Sequence, residues 1–226
     1  MFISLKDLDN NMLPREKALT FGMGSLSDSE LVALFIGSGY KGCDSLSLAH
    51  EILKTTNGLS GLMSLSLQDI MEIKGIKLAK ATQLLASMEI AKRISWQKAV
   101  NEDVIKNPEL LVNWLKLHIG KLEQEYMVVI FLDTRNHIIG YSDLFKGGVN
   151  SVQIHVREIF MQAMKARSAK IIVAHNHPSQ DCSPSGNDDR ITRDIFNAGI
   201  IMGIPLMDHI VISADSYFSY KKEHRI

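Results

Sequence analysis

The chain has 226 residues, enough for one large domain or two smaller ones, each with its own core. Hydrophobic residues make up 46% and charged residues 22%, which excludes a disordered chain, and 25 basic against 25 acidic residues leave no global field toward nucleic acid or anionic lipid. Cys43 and Cys182 form no CxxC pair, MFISLKDLDNNMLPREK has no apolar signal segment and no apolar run reaches about 18 residues, so a cytoplasmic protein with no disulfide framework and no membrane partner is expected.

From about residue 14 to 95 the patterning is helical. In LSDSELVALFIGSG, Ser27 with Glu30 three residues on has the form of a capping box, and Leu31, Leu34 and Phe35 follow at helical spacing as the expected buried face. Short amphipathic helices continue, separated by Gly-Tyr-Lys-Gly and Asn-Gly. Residues 70–94 predict two helices joined by a hairpin at Lys74-Gly75-Ile76-Lys77, the second starting near Leu78. Extended to Lys98, this stretch carries six Lys and Arg against two acidic residues and is locally basic. The polar segment 96–107, closed by Asn-Pro, reads as a linker, and a helix is expected over 108–119.

Beyond it the texture changes. YMVVIFL (126–132), HIIGY (137–141), KIIVA (170–174) and HIVIS (209–213) are β-branched apolar runs bounded by turn residues, and they predict strands. Asp133-Thr134-Arg135-Asn136 suits a hairpin turn between the first two. Helical stretches near 152–167 and 186–199 alternate with the strands. The expected fold is therefore an all-α N-terminal domain over 1–100 and an α/β (α+β) domain over 101–226, with helices flanking a mixed sheet.

The chemistry concentrates in AHNHPSQDCSPSGNDD (174–189). If the strand from Lys170 continues to His177, then His175 and His177 project from one face and their imidazoles converge, a half-site for zinc. Eight histidines in 226 positions give such a pair by chance about 0.3 times, so the pair alone is only suggestive. Pro178, Pro184 and Gly186 shape a polar loop at the strand end, Ser185 is placed as an N-cap, and Asp188 falls in the first helical turn. Two histidines and one carboxylate leave a fourth position of a tetrahedral zinc open for water. Asp181 and Asp189 are rivals for the third ligand, and Cys182 is expected to be a free thiol. His137, His155 and His209 read as structural histidines. The letters H-N-H carry no implication of nuclease activity, and a zinc deaminase is disfavoured because H-x-E and P-C-x-x-C are missing.

His175-x-His177, seven residues, Ser185, two residues, Asp188 resembles the JAMM (MPN+) metalloprotease motif position for position. HNHPS…PS..D with LMDHIVI, VREIF, REK, LSDSEL and KGI…AKA is similar more narrowly to the RadC family, from about Leu13 to the C-terminus. The resemblance implies a JAMM/cytidine-deaminase-like mixed sheet and one zinc per chain held by His175, His177 and Asp188. It also implies that Ser185 stabilises the tetrahedral intermediate and that an upstream glutamate is general base. Glu125, at the head of the first strand, is the candidate, with Glu123 and Glu158 as rivals. The implied activity is hydrolysis of a peptide or isopeptide substrate, and Asp208-His209 resembles a pair supporting the site. One departure is Val156, where the family usually has proline after His155.

KGIKLAKA also resembles a helix-hairpin-helix element, matched at Gly75, Ile76 and Ala81, with Lys77 in place of a second glycine. With the RadC family's link to repair and recombination, that resemblance implies as the competing function a DNA-associated repair or recombination accessory protein whose zinc site is structural or weakly active, with Lys74, Gly75, Lys77 and Lys80 as candidate phosphate contacts that read no sequence.

Overall fold

The computed structural model describes residues 13–146 and 155–226. The chain divides into two compact units, Met1–Ile90 and Ala91–Ile226.

The described part of the first unit is helical. Pro14–Phe21 (α1) starts with its proline at the first turn, where no N–H is needed, and a 3-10 turn over Met23–Ser25 follows. Asp28–Ile36 (α2) is capped as expected: Ser27 Oγ accepts from the Glu30 N–H, and Glu30 Oε2 accepts from the Ser27 N–H at 2.7 Å. Ser45–Thr55 (α3) is capped by Asp44, Leu59–Leu62 (α4) is a single turn, and Leu67–Glu72 (α5) has a second capping box from Ser66 and Asp69. Leu78–Val100 (α6) begins beyond the hairpin, and the division between units falls inside it.

The buried face of α2 differs from the expected one. Val32, Ala33 and Ile36 enter the core with Leu48, Ile52 and Ile70, while Phe35 is 50% exposed. Apolar residues run almost unbroken through LVALFI, so two adjacent stripes satisfy a 3.6-residue period and sequence alone does not choose between them. At the hairpin, Gly75 has φ +87°, and a Cβ there would lie 2.1 Å from the Tyr40 ring, so glycine is required twice over. Lys77 takes no left-handed backbone conformation, so a lysine stands in place of the second glycine without backbone strain.

In the second unit, the end of α6 overturns part of the linker expectation. Residues 96–100 are helical, and Trp96, Ala99 and Val100 pack with Trp114 of Pro108–His118 (α7) in one core cluster. Their spacing makes an apolar stripe that burial stabilises despite the polar residues between. Only 101–107 is turn, with the Asp103 carboxylate accepting from the N–H groups of Ile105 and Lys106.

Tyr126–Leu132 (β1) and Ile138–Lys146 (β2) form the expected antiparallel hairpin. In its turn, Asp133 Oδ1 accepts from the N–H groups of Arg135 and His137. Val156–Lys165 (α8), Lys170–Asn176 (β3), Gly186–Met202 (α9), Leu206–Ile212 (β4) and Tyr217–Ser219 (β5) complete the unit. Residues 152–154 of the helix expected from 152 lie outside the described residues. The described helix starts at Val156, directly after His155 as N-cap, so valine serves where the family usually has proline.

The sheet order is β2-β1-β3-β4-β5, with β3 and β4 parallel and the other neighbours antiparallel. Side chains alternate across it. Val128, Ile130, Leu132, Ile172 and Ala174 face α7, while Met127, Val129, Phe131, Ile171 and Val173 meet Ile159 and Phe160 of α8 and Ile195 of α9. Both faces are covered, which is why β1 and β3 read as unbroken apolar runs. Each fully buried Val, Ile or Leu contributes roughly 1.5–3 kcal/mol. The alternation then fixes the site: His175 continues the α8/α9-facing row of β3, and Asn176 turns to the other side.

Candidate metal centre

β3 ends at Asn176, and His177 follows with its N–H on the Ile212 carbonyl at 3.3 Å. The loop beyond is pinned from both sides by Gln180, whose Nε2 donates to the Gly120 carbonyl at 3.3 Å and whose Oε1 accepts from the Ala214 N–H at 2.8 Å. Ser185 then caps α9. Its N–H and its hydroxyl both donate to Asp188 Oδ2 at 2.7 Å, and its Oγ accepts from the Asp188 N–H. The capping box places the Asp188 carboxylate at the mouth of β3.

His175 Nε2 lies 3.0 Å from His177 Nε2 and 3.3 Å from Asp188 Oδ1, and His177 Nε2 lies 3.4 Å from Asp188 Oδ2. Among the described residues these three make the group of His, Cys, Asp or Glu that could hold a metal ion, with ligand atoms all within 4.8 Å of one another. His175 is 1% exposed and Asp188 5% exposed, so the cluster is buried on the protein side and reached past the half-buried His177.

Electrostatics suit ligation. Burial pushes His175 down to about 4, so its imidazole is neutral at pH 7. Burial alone would raise Asp188, but the bond with His177, the His175 imidazole once acid protonates it, and both groups of Ser185 hold it well below the carboxylate range. His177 is raised, first by its bond with Asp188 and against its own burial. Its Nδ1 lies 2.7 Å from the Asp181 carbonyl, which has no proton to give, so Nδ1 is the donor and Nε2 faces the cluster.

Glu125 precedes β1. Met127 pairs with His175 at the end of the antiparallel register, and Glu125, two residues before Met127, is close enough to His177 and Asp188 to feel both charges. Partial burial raises its carboxyl, the charge of Asp188 raises it further, and His177 opposes both. Of the rivals, Glu123 precedes β1 and is exposed, as Glu125 itself is, and Glu158 is in the first turn of α8; the coupling to Asp188 and His177 is what distinguishes Glu125. Asp189 takes the Tyr220 hydroxyl at 2.8 Å and Arg225 Nη1 at 3.3 Å, and the Asp181 carboxylate takes the Ser183 N–H. Cys182 is a free thiol with its Sγ 3.3 Å from Ser216 Oγ.

Several supporting residues were not legible as such. Asn176, fully buried, accepts from the Tyr126 N–H at 2.7 Å and donates to the Leu122 and Gln124 carbonyls at 3.0 and 3.2 Å, tying the segment that carries Glu125 to the end of β3. His209 and Thr192 stand behind His175, with His209 Nε2 2.8 Å from His175 Nδ1 and Thr192 Oγ1 against His209 Nδ1. The Asp208-His209 pair was the available signal for the first. Nothing in the sequence marked Thr192.

The hairpin of the first unit splits its candidate residues. Lys74 and Lys77 are exposed, with Lys74 Nζ 5.4 Å from the Tyr40 ring centroid. Lys80 is turned inward, donating to the Gly39 carbonyl at 2.9 Å and the Gly75 carbonyl at 3.3 Å, so its ammonium secures the hairpin and is not offered to a phosphate. No helix among the described residues is long and apolar enough to cross a membrane.

A family model described as RadC-like JAB domain matches residues 105–225, and one described as UPF0758 N-terminal matches residues 5–82. A UPF0758 protein of Clostridium beijerinckii is 43% identical over 221 residues, covering 97% of this chain and 96% of the relative. UPF0758 proteins of Clostridium botulinum (strain Eklund 17B) and Alkaliphilus oremlandii are 42% and 41% identical, covering 98% and 100% of this chain and 97% of each relative. With a helical N-terminal region, a mixed-sheet C-terminal domain and these matches over nearly its whole length, the chain belongs to the UPF0758 family of proteins with a RadC-like JAB domain.

Proposed function

We propose that this protein is a zinc-dependent hydrolase of amide bonds, acting as a metallopeptidase or isopeptidase. The convergence of His175, His177 and Asp188 supports the reading above all. Two imidazole nitrogens and one carboxylate fit zinc in a site with three protein ligands and one exchangeable position. When bound, zinc supplies Lewis acidity, lowering the pKa of a water and polarising a substrate carbonyl.

The chain's own residues do the rest. Glu125, close to His177 and with its carboxyl raised by partial burial and by Asp188, takes a proton from the attacking water and returns it to the leaving amine. Ser185 turns its hydroxyl proton from Asp188 Oδ2 toward the developing oxyanion. Asn176 keeps the Glu125 segment in register.

Glu125→Gln tests the reading. Elemental analysis should still find about one zinc per chain, while cleavage in a peptide library falls by roughly 100-fold or more. Unchanged turnover removes Glu125 from the mechanism, and wild-type protein purified without bound zinc removes the zinc reading itself.

A second reading concerns the first unit: Lys74 and Lys77, exposed on either side of the Gly75 turn, hold phosphates of duplex DNA without reading its sequence.

A further inference from the structure

Thr192 lies one helical turn beyond Asp188 on α9, with Oγ1 2.5 Å from the Asp188 carbonyl and 2.5 Å from His209 Nδ1. A backbone carbonyl has no proton, so the single hydroxyl proton of Thr192 is spent on it. The contact with His209 then requires that His209 carry its proton on Nδ1. Were the hydroxyl turned to His209 instead, two oxygens would face each other at 2.5 Å with no proton between them. The Tyr220 hydroxyl supplies none, because its own proton goes to Asp189.

His209 is wholly buried, with one ring nitrogen against the Thr192 hydroxyl and the other against the His175 imidazole, a setting in which an imidazolium charge would be costly, so it holds one proton only. The Tyr220 ring stacks on it at 5.1 Å and 10°, which fixes the plane of the imidazole. With Nδ1 protonated, its Nε2 is a bare acceptor, 2.8 Å from His175 Nδ1. His175 must be the donor in that bond.

We propose that Thr192 and His209 are positioning residues that place the proton of His175 on Nδ1 and so present its Nε2 lone pair to the metal, a role that rests on the zinc reading above. The relay runs from the main chain of one ligand, Asp188, through Thr192 and His209 to another, His175. It selects the tautomer before any ion arrives. In the opposite tautomer Nε2 carries the proton and must lose it before it can ligate.

The test uses full-length protein labelled with 15N-histidine and freed of metal. Two-bond proton–nitrogen correlation should show both His175 and His209 as Nδ1–H tautomers. In Thr192→Val, His209 Nδ1 has no acceptor, its proton moves to Nε2, and His175 should invert to Nε2–H. Zinc affinity, read by competition with a chromophoric chelator, should then fall roughly 10–100-fold, and Thr192→Ser should restore both readouts. A proton on His175 Nε2 in the wild type overturns the proposal without recourse to any variant. So does a Thr192→Val protein with wild-type tautomers and affinity. A wild type that shows Nδ1–H on both rings yet takes up no zinc upholds the proton placement and overturns the zinc reading.

Discussion

Asn176→Ala removes a side chain that makes three hydrogen bonds, to Tyr126 N–H and to the Leu122 and Gln124 carbonyls, and leaves His175, His177 and Asp188 untouched. Each such bond is worth about 1 kcal/mol net, so the variant should lose roughly 3 kcal/mol. Urea unfolding followed by tryptophan fluorescence measures this in the right place, because both tryptophans, Trp96 and Trp114, belong to the unit spanning Ala91–Ile226. Asn176→Asp sharpens the test. It keeps an acceptor for the Tyr126 N–H but sets an oxygen against two carbonyls, so it should be no more stable than the alanine variant. Zinc uptake should survive in both, whereas turnover should fall with the loss of the Glu125 anchor. A stability loss below about 1 kcal/mol, or an aspartate variant as stable as wild type, would refute the assignment of these bonds as the anchor.

Two further outcomes concern the first unit. Lys74→Glu with Lys77→Glu should weaken duplex DNA binding and flatten the slope of log affinity against log salt by roughly 2, measured by fluorescence anisotropy; an unchanged slope discards the DNA reading. Acid should loosen the capped helices. Burial would raise Glu30, yet the Ser27 N–H and hydroxyl and the Lys17 ammonium bring it below its ordinary 4.5, while the Ser47 N–H first lowers Asp44, and the Ser66 hydroxyl first lowers Asp69, from 3.8. A depressed carboxylate stabilises the fold above its unfolded value and loses that contribution as pH falls through the folded one. Amide protection in α2, α3 and α5 should therefore drop from pH 6 to pH 3 after correction for intrinsic exchange rates, and equal protection would contradict the caps' contribution.

The elements most legible in the sequence were those set by local chemistry. β1 was expected over 126–132 and spans Tyr126–Leu132, and the Ser27 and Ser185 caps form as their spacing predicts. What escaped depended on partners distant in the chain. The buried face of α2 was ambiguous because both candidate stripes are apolar. β5, only Tyr217–Ser219, exists because β4 offers an edge for it to pair with. β2 runs on to Lys146 past Ser142 and Asp143, polar residues an edge strand tolerates. At the site, the motif spacing pointed to the three converging side chains, yet the middle letter of His-Asn-His looked like a spacer. Its role appears only when β1 is laid antiparallel to β3.

The three side chains that converge all lie between positions 175 and 188, whereas Glu125 comes from the segment before β1, which Asn176 ties to the end of β3. In the proposed mechanism, grip and turnover thus lie on separate pieces of chain. Under that proposal, a descendant that changes position 125 would keep every letter of the motif while becoming a metal carrier. Among relatives, the residue to compare first in testing that proposal is the one outside the motif.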